Sequence, residues 1–113
     1  MPQWTVGLLA DGRHDIPADY QPTVLGSRAD LLDLFDRNVA QARETIGQTP
    51  DAAFEKNWSL TWGGQTVFSM PRWEAYRQMF LNHLVHHRAQ LTVYFRLNDI
   101  PVPGLYGGSA DEQ

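Results

Sequence analysis

Apolar residues recur at intervals of three and four in three stretches of this chain, and that spacing predicts three helices. The predicted helices run from Pro2 to Ala10, from Ser27 to about Ile46, and from about Arg72 to Leu97. Ser27 is a favourable N-cap, and Asp30 takes the position three residues on that completes a capping box. Gly47 is expected to end the second helix, because glycine commonly follows a helix C-terminus.

The stretches between the helices carry turn signals. Residues Arg13 to Gly26 contain two prolines and are predicted to form a loop. Trp58 to Trp62 and Gln65 to Met70 flank Gly63-Gly64, a pattern that predicts a small β-hairpin. The segment Pro103–Gln113 is predicted to be an irregular tail.

The pattern of the longest helix predicts one apolar stripe that faces the interior. Its members recur at helical spacing: Trp73, Tyr76, Phe80, His83, His87, Leu91 and Tyr94. Gln90 lies beside this stripe, and His86 lies at its flank. The stripe as a whole is more typical of a core than of a cofactor site.

The histidines in this helix are the main candidates for chemistry. Three of the chain's 4 histidines fall between His83 and His87. On a helix, His83 and His87 lie one turn apart on the same face, where two imidazoles can share a transition-metal ion. The alternative is that they are core residues bonded to their neighbours. Two ligands make a poor site, and His14, the remaining histidine, is predicted to lie solvated in a polar loop.

The length and composition of the chain limit its number of domains and the classes of partner that it can bind. The 113 residues are enough for one domain, spanning 1–113, with a buried core. A net charge of −4 without a basic cluster argues against nucleic acid. There is no apolar run of the roughly 18 residues that a membrane span needs. The absence of cysteine excludes thiolate metal ligands and disulfides, and it is compatible with a cytoplasmic protein.

The C-terminal half resembles the DinB-like family of helical bundles, many of which hold a metal. The resemblance rests on Asn82-His83, on His87-Arg88-x-Gln90, and on the tail Tyr106-Gly-Gly-Ser-Ala-Asp-Glu112. It implies an all-α, up-and-down helical bundle with a small hairpin before the last helix. It also implies that His83 and His87 are two of three metal-binding histidines and that Gln90 orients one of them. Tyr76, Phe80 and Tyr94 would line the family's pocket.

The resemblance also implies that parts of the bundle are missing. The family's first helix, part of its second and its third histidine would lie before Met1, so the chain is expected to be an N-terminally truncated four-helix bundle. Either the start of the sequence lies too late, or this is a genuine short form. A zinc, nickel or iron ion is then expected to bind weakly or not at all. The exposed apolar faces would be covered in a homodimer or higher oligomer.

Three functions stay open at this point. The first is a metal-dependent enzyme, such as a thiol-dependent S-transferase or isomerase acting on a small-molecule thiol and an electrophile, with little activity in this chain. The second is a non-catalytic bundle that has lost this chemistry. The third is a small-molecule-binding or oligomerising module that uses the aromatic pocket.

Overall fold

The computed structural model describes residues 2–112, so Met1 and Gln113, the two ends of the predicted domain, lie outside the described residues. The helices are α1 (Pro2–Ala10), α2 (Arg28–Gln48), α3 (Asp51–Phe54), α4 (Arg72–Ala75), a π-helix (Tyr76–Asn82) and α5 (His83–Leu97). The strands are β1 (Arg13–Ile16), β2 (Asn57–Trp62) and β3 (Gln65–Pro71).

The prediction of an all-α four-helix bundle is wrong. The three strands form one mixed sheet in the order β1-β2-β3. β1 pairs in parallel with β2, with Arg13 opposite Ser59 and Ile16 opposite Trp62. Parallel neighbours need a crossover connection, and here it contains α2 and α3. The protein therefore has a mixed α/β fold.

β2 and β3 form the hairpin that was predicted from Gly63-Gly64, and this prediction is confirmed. The two glycines have φ values of 53° and 80°. A two-residue turn of this kind needs positive φ at both positions, which glycine adopts at little cost. The turn brings Trp62 opposite Gln65, and pairing continues to Asn57 opposite Pro71.

β1 replaces part of the loop that was predicted for Arg13 to Gly26. The carboxylate of Asp15, in β1, joins this strand to the hairpin. It accepts hydrogen bonds from Thr61 Oγ1 at 2.5 Å and from the Gly64 amide at 2.9 Å. These bonds, the Thr61 bond first, lower the pKa of the Asp15 carboxyl. The polar residues of β1 are thus held by pairing and by one carboxylate, and not by apolar burial.

The core lies between α1, the sheet and α4. Its buried members are Leu8, Leu9, Trp58 and Ala75, with partly buried apolar side chains around them. Full burial of a large apolar side chain contributes about 1.5–3 kcal/mol. On β2 and β3, Trp58 and Phe68 pack with ring centroids 6.0 Å apart. The period-2 alternation of the hairpin therefore directs Trp58 and Phe68 to this core.

The sequence predicted the bounds of the longer helices well. Ser27 caps α2 by accepting a hydrogen bond from the Asp30 amide at 3.1 Å, and its hydroxyl donates to the Asp30 carboxylate at 2.7 Å. The helix continues through Gly47 to Gln48, two residues beyond the predicted end. Helical backbone also covers the predicted range Arg72 to Leu97, but its middle portion is π-helical.

The chain divides into two compact units, here called the N-terminal unit (Met1–Leu81) and the C-terminal unit (Asn82–Gln113). The N-terminal unit holds the sheet and its core. The C-terminal unit holds α5 and the tail. Among residues 2–112, no helix combines the length and apolar character needed to cross a bilayer.

Candidate metal site

His83 and His87 come together at the start of α5. The helix places them one turn apart, with ring centroids 4.6 Å apart and ring planes inclined by 31°. Their Nε2 atoms are 2.9 Å apart. The two donor atoms thus converge on one point beside the helix, the arrangement expected from their i, i+4 spacing.

Gln90 fixes the orientation of one ring. Its Oε1 lies 2.7 Å from Nδ1 of His87. An amide oxygen only accepts hydrogen bonds, so Nδ1 of His87 carries the proton in this contact and Nε2 keeps its lone pair. The Nε2–H of His83 then donates to that lone pair. A glutamine three residues after the histidine therefore selects the tautomer that presents Nε2.

His86 stays at the edge of this pair. Its ring centroid lies 5.1 Å from that of His87 and 6.3 Å from that of His83, and its side chain is exposed. It makes ring contacts with both histidines but does not join the hydrogen-bonded pair. This agrees with its predicted place on the flank, and it makes His86 a natural control for the other two.

The prediction of one inward-facing stripe is wrong. Phe80 is buried, but His87 is exposed, His83 is half-buried and Tyr94 is 63% exposed. The cause lies in the π-helix Tyr76–Asn82, whose i→i+5 hydrogen bonds put more residues into each turn. Residues that would share one face of a regular α-helix, at 3.6 residues per turn, therefore do not share one face between Trp73 and Tyr94.

The three predicted pocket residues, Tyr76, Phe80 and Tyr94, lie in different local surroundings within their own units. Tyr76 packs edge-on against Phe54 at 6.1 Å and against Phe80 at 5.1 Å, and burial raises the pKa of its phenol. Phe80 lines a cavity of the N-terminal unit. Tyr94 lies on α5 and is mostly exposed.

A metal centre built from the chain's own side chains, as the resemblance implies for its family, is not formed by residues 2–112. Within that range no group of three or more histidine, cysteine, aspartate or glutamate side chains is arranged to hold an ion. His14, predicted to lie in a solvated loop, lies in β1, and Asp15 of the same strand accepts hydrogen bonds from Thr61 and Gly64. The expected metal centre of three histidines is therefore corrected, within the described residues, to the two imidazoles of His83 and His87.

The tail motif, which sequence reasoning connected only with the family resemblance, closes the C-terminal unit on itself. Asp111 accepts from the Val102 amide at 2.8 Å and forms an ion pair with Arg96 at 2.7 Å. These bonds, the Val102 bond first, lower the pKa of the Asp111 carboxyl. Glu112 accepts from the Gly104 amide at 2.6 Å. Asp111 and Glu112 therefore hold the tail through hydrogen bonds from the backbone amides of Val102 and Gly104, and these contacts are called the clamp.

Arg88 takes part in the same closure. Its guanidinium carbon lies 5.9 Å from the ring centroid of Tyr106, a cation–π distance. This ring contact gives Arg88 a packing role within the C-terminal unit. Arg88 and Tyr106 thus connect α5 to the tail.

No family model, curated protein or solved structure matches this chain. The likeness to the DinB-like family consequently rests on the quoted motif residues alone.

Proposed function

We propose that His83 and His87 form a two-donor site for a divalent transition-metal ion, with the remaining ligands supplied from outside the chain. The observation that carries this proposal is the convergence of the two Nε2 atoms at 2.9 Å, with Gln90 on the far nitrogen of His87. Imidazole nitrogens suit zinc, nickel and iron.

The spacing of the two nitrogens fits one ion. Nitrogens bound at about 2.0–2.1 Å lie roughly 2.9 Å apart at the right angle of octahedral or square-planar coordination, and roughly 3.3 Å apart at the tetrahedral angle that zinc prefers. The observed Nε2 separation is also 2.9 Å. A metal-ligating histidine usually donates its other ring N–H to an acceptor, and Gln90 supplies that acceptor for His87.

The site favours a small external ligand. His87 is exposed, so a molecule in solution can reach the pair. The chain has no cysteine, so a thiol at this site must come from a small molecule. A bound divalent ion would act as a Lewis acid and favour the thiolate form of such a ligand.

The resemblance to DinB-like proteins extends the proposal to thiol transfer to an electrophile, in a cytoplasmic setting. Two protein donors hold an ion weakly and fix its geometry poorly. We therefore expect little or no turnover from this chain alone. His83 and His87 would hold the ion, and Gln90 would keep the His87 ring in its binding tautomer.

The test is calorimetric titration of tag-free protein with nickel chloride. We expect saturable binding that weakens at least about tenfold in His87→Ala and in His83→Ala, and about 10- to 100-fold in Gln90→Leu. His86→Ala is the matched control and should bind like the unaltered chain. Equal binding by all four variants, or none by the unaltered folded protein, contradicts the metal proposal.

Catalysis is tested separately with 2-mercaptoethanol and 1-chloro-2,4-dinitrobenzene, whose chloride leaves when the thiolate sulfur bonds to the ring. We expect a rate close to that of the same metal concentration without protein. Fast turnover that His87→Ala abolishes would show that two protein donors suffice, and would contradict the expected inactivity while keeping the metal site.

A non-catalytic, self-associating module is the second candidate. It is supported by α2, whose residues Leu31, Leu32 and Phe35 are 55%, 49% and 54% exposed. Apolar side chains clustered on one surface helix are typical of association surfaces. A homodimer or higher oligomer would cover them, and sedimentation at micromolar concentration distinguishes it from a monomer.

A further inference from the structure

One edge of the sheet is formed by β1, which pairs with β2 on its inner side. The carbonyl oxygens of Gly12 and Ile16 accept hydrogen bonds from backbone amides in β2 and at its end. Successive residues of a strand turn their backbone groups to opposite edges, so those of Arg13 and Asp15 point away from β2. Neither residue makes another backbone hydrogen bond within residues 2–112, and both side chains are exposed. Two N–H and two C=O groups are therefore open to a further strand.

Arg13 and Asp15 also project from the same face of the sheet, because they lie two residues apart in one strand. His14 projects from the opposite face, where its Nδ1 would lie 3.5 Å from a Cβ at Gly7 in α1. Asp15 uses Oδ1 for both of its hydrogen bonds to the hairpin, so Oδ2 is available to another donor. The edge thus carries a cation and an anion side by side on one face.

These charges make β1 complementary to a second copy of itself in one antiparallel register. When a two-fold axis passes through His14, Arg13 of each copy lies opposite Asp15 of the other, and each such pair exchanges two backbone hydrogen bonds. A shift of the axis by one residue places Arg13 opposite Arg13, or Asp15 opposite Asp15, and brings like charges together. The charges therefore select the register that also forms four backbone hydrogen bonds.

The opposite edge of the sheet, β3, suits a second copy less well. Val67 is an extra residue between the positions of β3 that pair with Leu60 and Thr61. A bulge of this kind bends and twists an edge strand, which discourages pairing with another chain. β3 also has no charged side chain that could select a register, whereas β1 is charged and pairs without interruption along its length. Register and charge therefore both favour the edge at β1.

We propose that two copies of this chain join through β1, antiparallel and centred on His14, with ion pairs between Arg13 of each copy and Asp15 of the other. The two sheets then continue as one sheet in the order β3-β2-β1-β1-β2-β3. The contact uses neither the apolar residues of α2 nor the histidine pair of α5. A strand of 4 residues buries far less than the roughly 1,600 Å² of a standard interface, so we expect a weak dimer that forms at about 0.1 mM and above.

Cysteine cross-linking measures this contact at one position. The chain has no cysteine. Residues opposite each other in a non-hydrogen-bonded antiparallel pair lie about 4.5 Å apart at Cα, within the range of a disulfide. At about 0.1 mM protein with oxidised glutathione, His14→Cys should therefore form a covalent dimer at least about tenfold faster than Val24→Cys. Val24 is 91% exposed and lies outside β1, so its variant measures random collision.

Charge reversal tests whether the ion pairs select the register. In the His14→Cys background, Arg13→Glu would place like charges opposite each other twice in the dimer and should slow cross-linking at least about fivefold. Arg28→Glu is the matched control, since Arg28 is exposed, lies outside β1 and gives the same change in net charge. It should leave the rate almost unchanged. Phe35→Asp should also leave the rate almost unchanged, which separates this contact from self-association through α2.

The unaltered chain provides a second measurement. The amide resonances of Arg13 and Asp15 should move downfield as the protein concentration rises from about 0.01 to 1 mM, because both amides gain an acceptor. Those of His14 and Ile16, whose backbone groups face β2, should move less.

Equal cross-linking by His14→Cys and Val24→Cys, or a rate that Arg13→Glu does not change, would overturn the proposal. Stationary Arg13 and Asp15 amides across the same concentration range would overturn it as well. The amide resonances therefore decide the question even if His14→Cys does not fold.

Discussion

Substitution of Gly104 by alanine should open the tail of the C-terminal unit. A Cβ at this position would overlap the backbone carbonyl oxygen of Gly107 and would lie 2.6 Å from Glu112 Oε2. A backbone carbonyl cannot rotate away like a flexible side chain, so the turn from Gly104 to Gly107 must change its path. The same shift would pull the Gly104 amide away from Glu112 Oε1, now 2.6 Å distant.

The size of the effect follows from these contacts. Forcing one extra carbon into a packed site typically costs about 1–3 kcal/mol. At about 1.4 kcal/mol per factor of ten, the tail should open about 5- to 150-fold more often. The loss should be confined to the clamp and its neighbours, because a local opening does not require global unfolding.

Amide hydrogen exchange measures this opening directly. The Val102 amide donates to Asp111 at 2.8 Å inside the clamp, so its exchange should accelerate by the stated factor. Gly107→Ala is the matched control, since a Cβ there meets no atom within 4 Å, and it should leave Val102 exchange almost unchanged. Equal Val102 exchange in Gly104→Ala and the unaltered chain would refute the clamp.

Three further predictions concern the hairpin, the tail carboxylate and α2. Gly64→Ala, at φ 80°, should lower the free energy of unfolding in urea by about 1–2 kcal/mol, whereas helical Gly47→Ala should raise it by up to about 1 kcal/mol. The Asp111 clamp is fully present above the ordinary pKa of 3.8 and should be lost as the pH falls below it through the lowered folded-state pKa, with Val102 exchange accelerating over that range. Phe35→Asp should shift any sedimenting oligomer towards monomer, and a monomeric unaltered chain would contradict self-association.

The features that could be predicted from sequence are those that local physics determines. Ser27 and Asp30 form a cap within four residues, and Gly63-Gly64 specifies its turn by backbone freedom alone. The contact between His83 and His87 follows from one helical turn. None of these features needs information from a distant part of the chain.

The features that were missed depend on distant partners or on irregular backbone. β1 is short and polar, without the alternation that marks a strand, and it exists because it pairs with β2 more than 40 residues away. The wrong all-α prediction followed from omitting this strand. The π-helix has no sequence signal among those considered, and it displaced the stripe that was drawn from Trp73 to Tyr94.

The contact between His83 and His87 does not depend on the fold class, so it is present although the all-α prediction is wrong. Both donors and the orienting Gln90 lie within eight residues of one helix, so no bundle is needed to bring them together. The third ligand was expected to lie before Met1, so the correction of the fold does not change the number of histidines available to the pair. In the proposed metal site the remaining ligands come from solution or a partner, and the difference in metal affinity between Gln90→Leu and the unaltered chain measures how much the orientation of the His87 ring contributes.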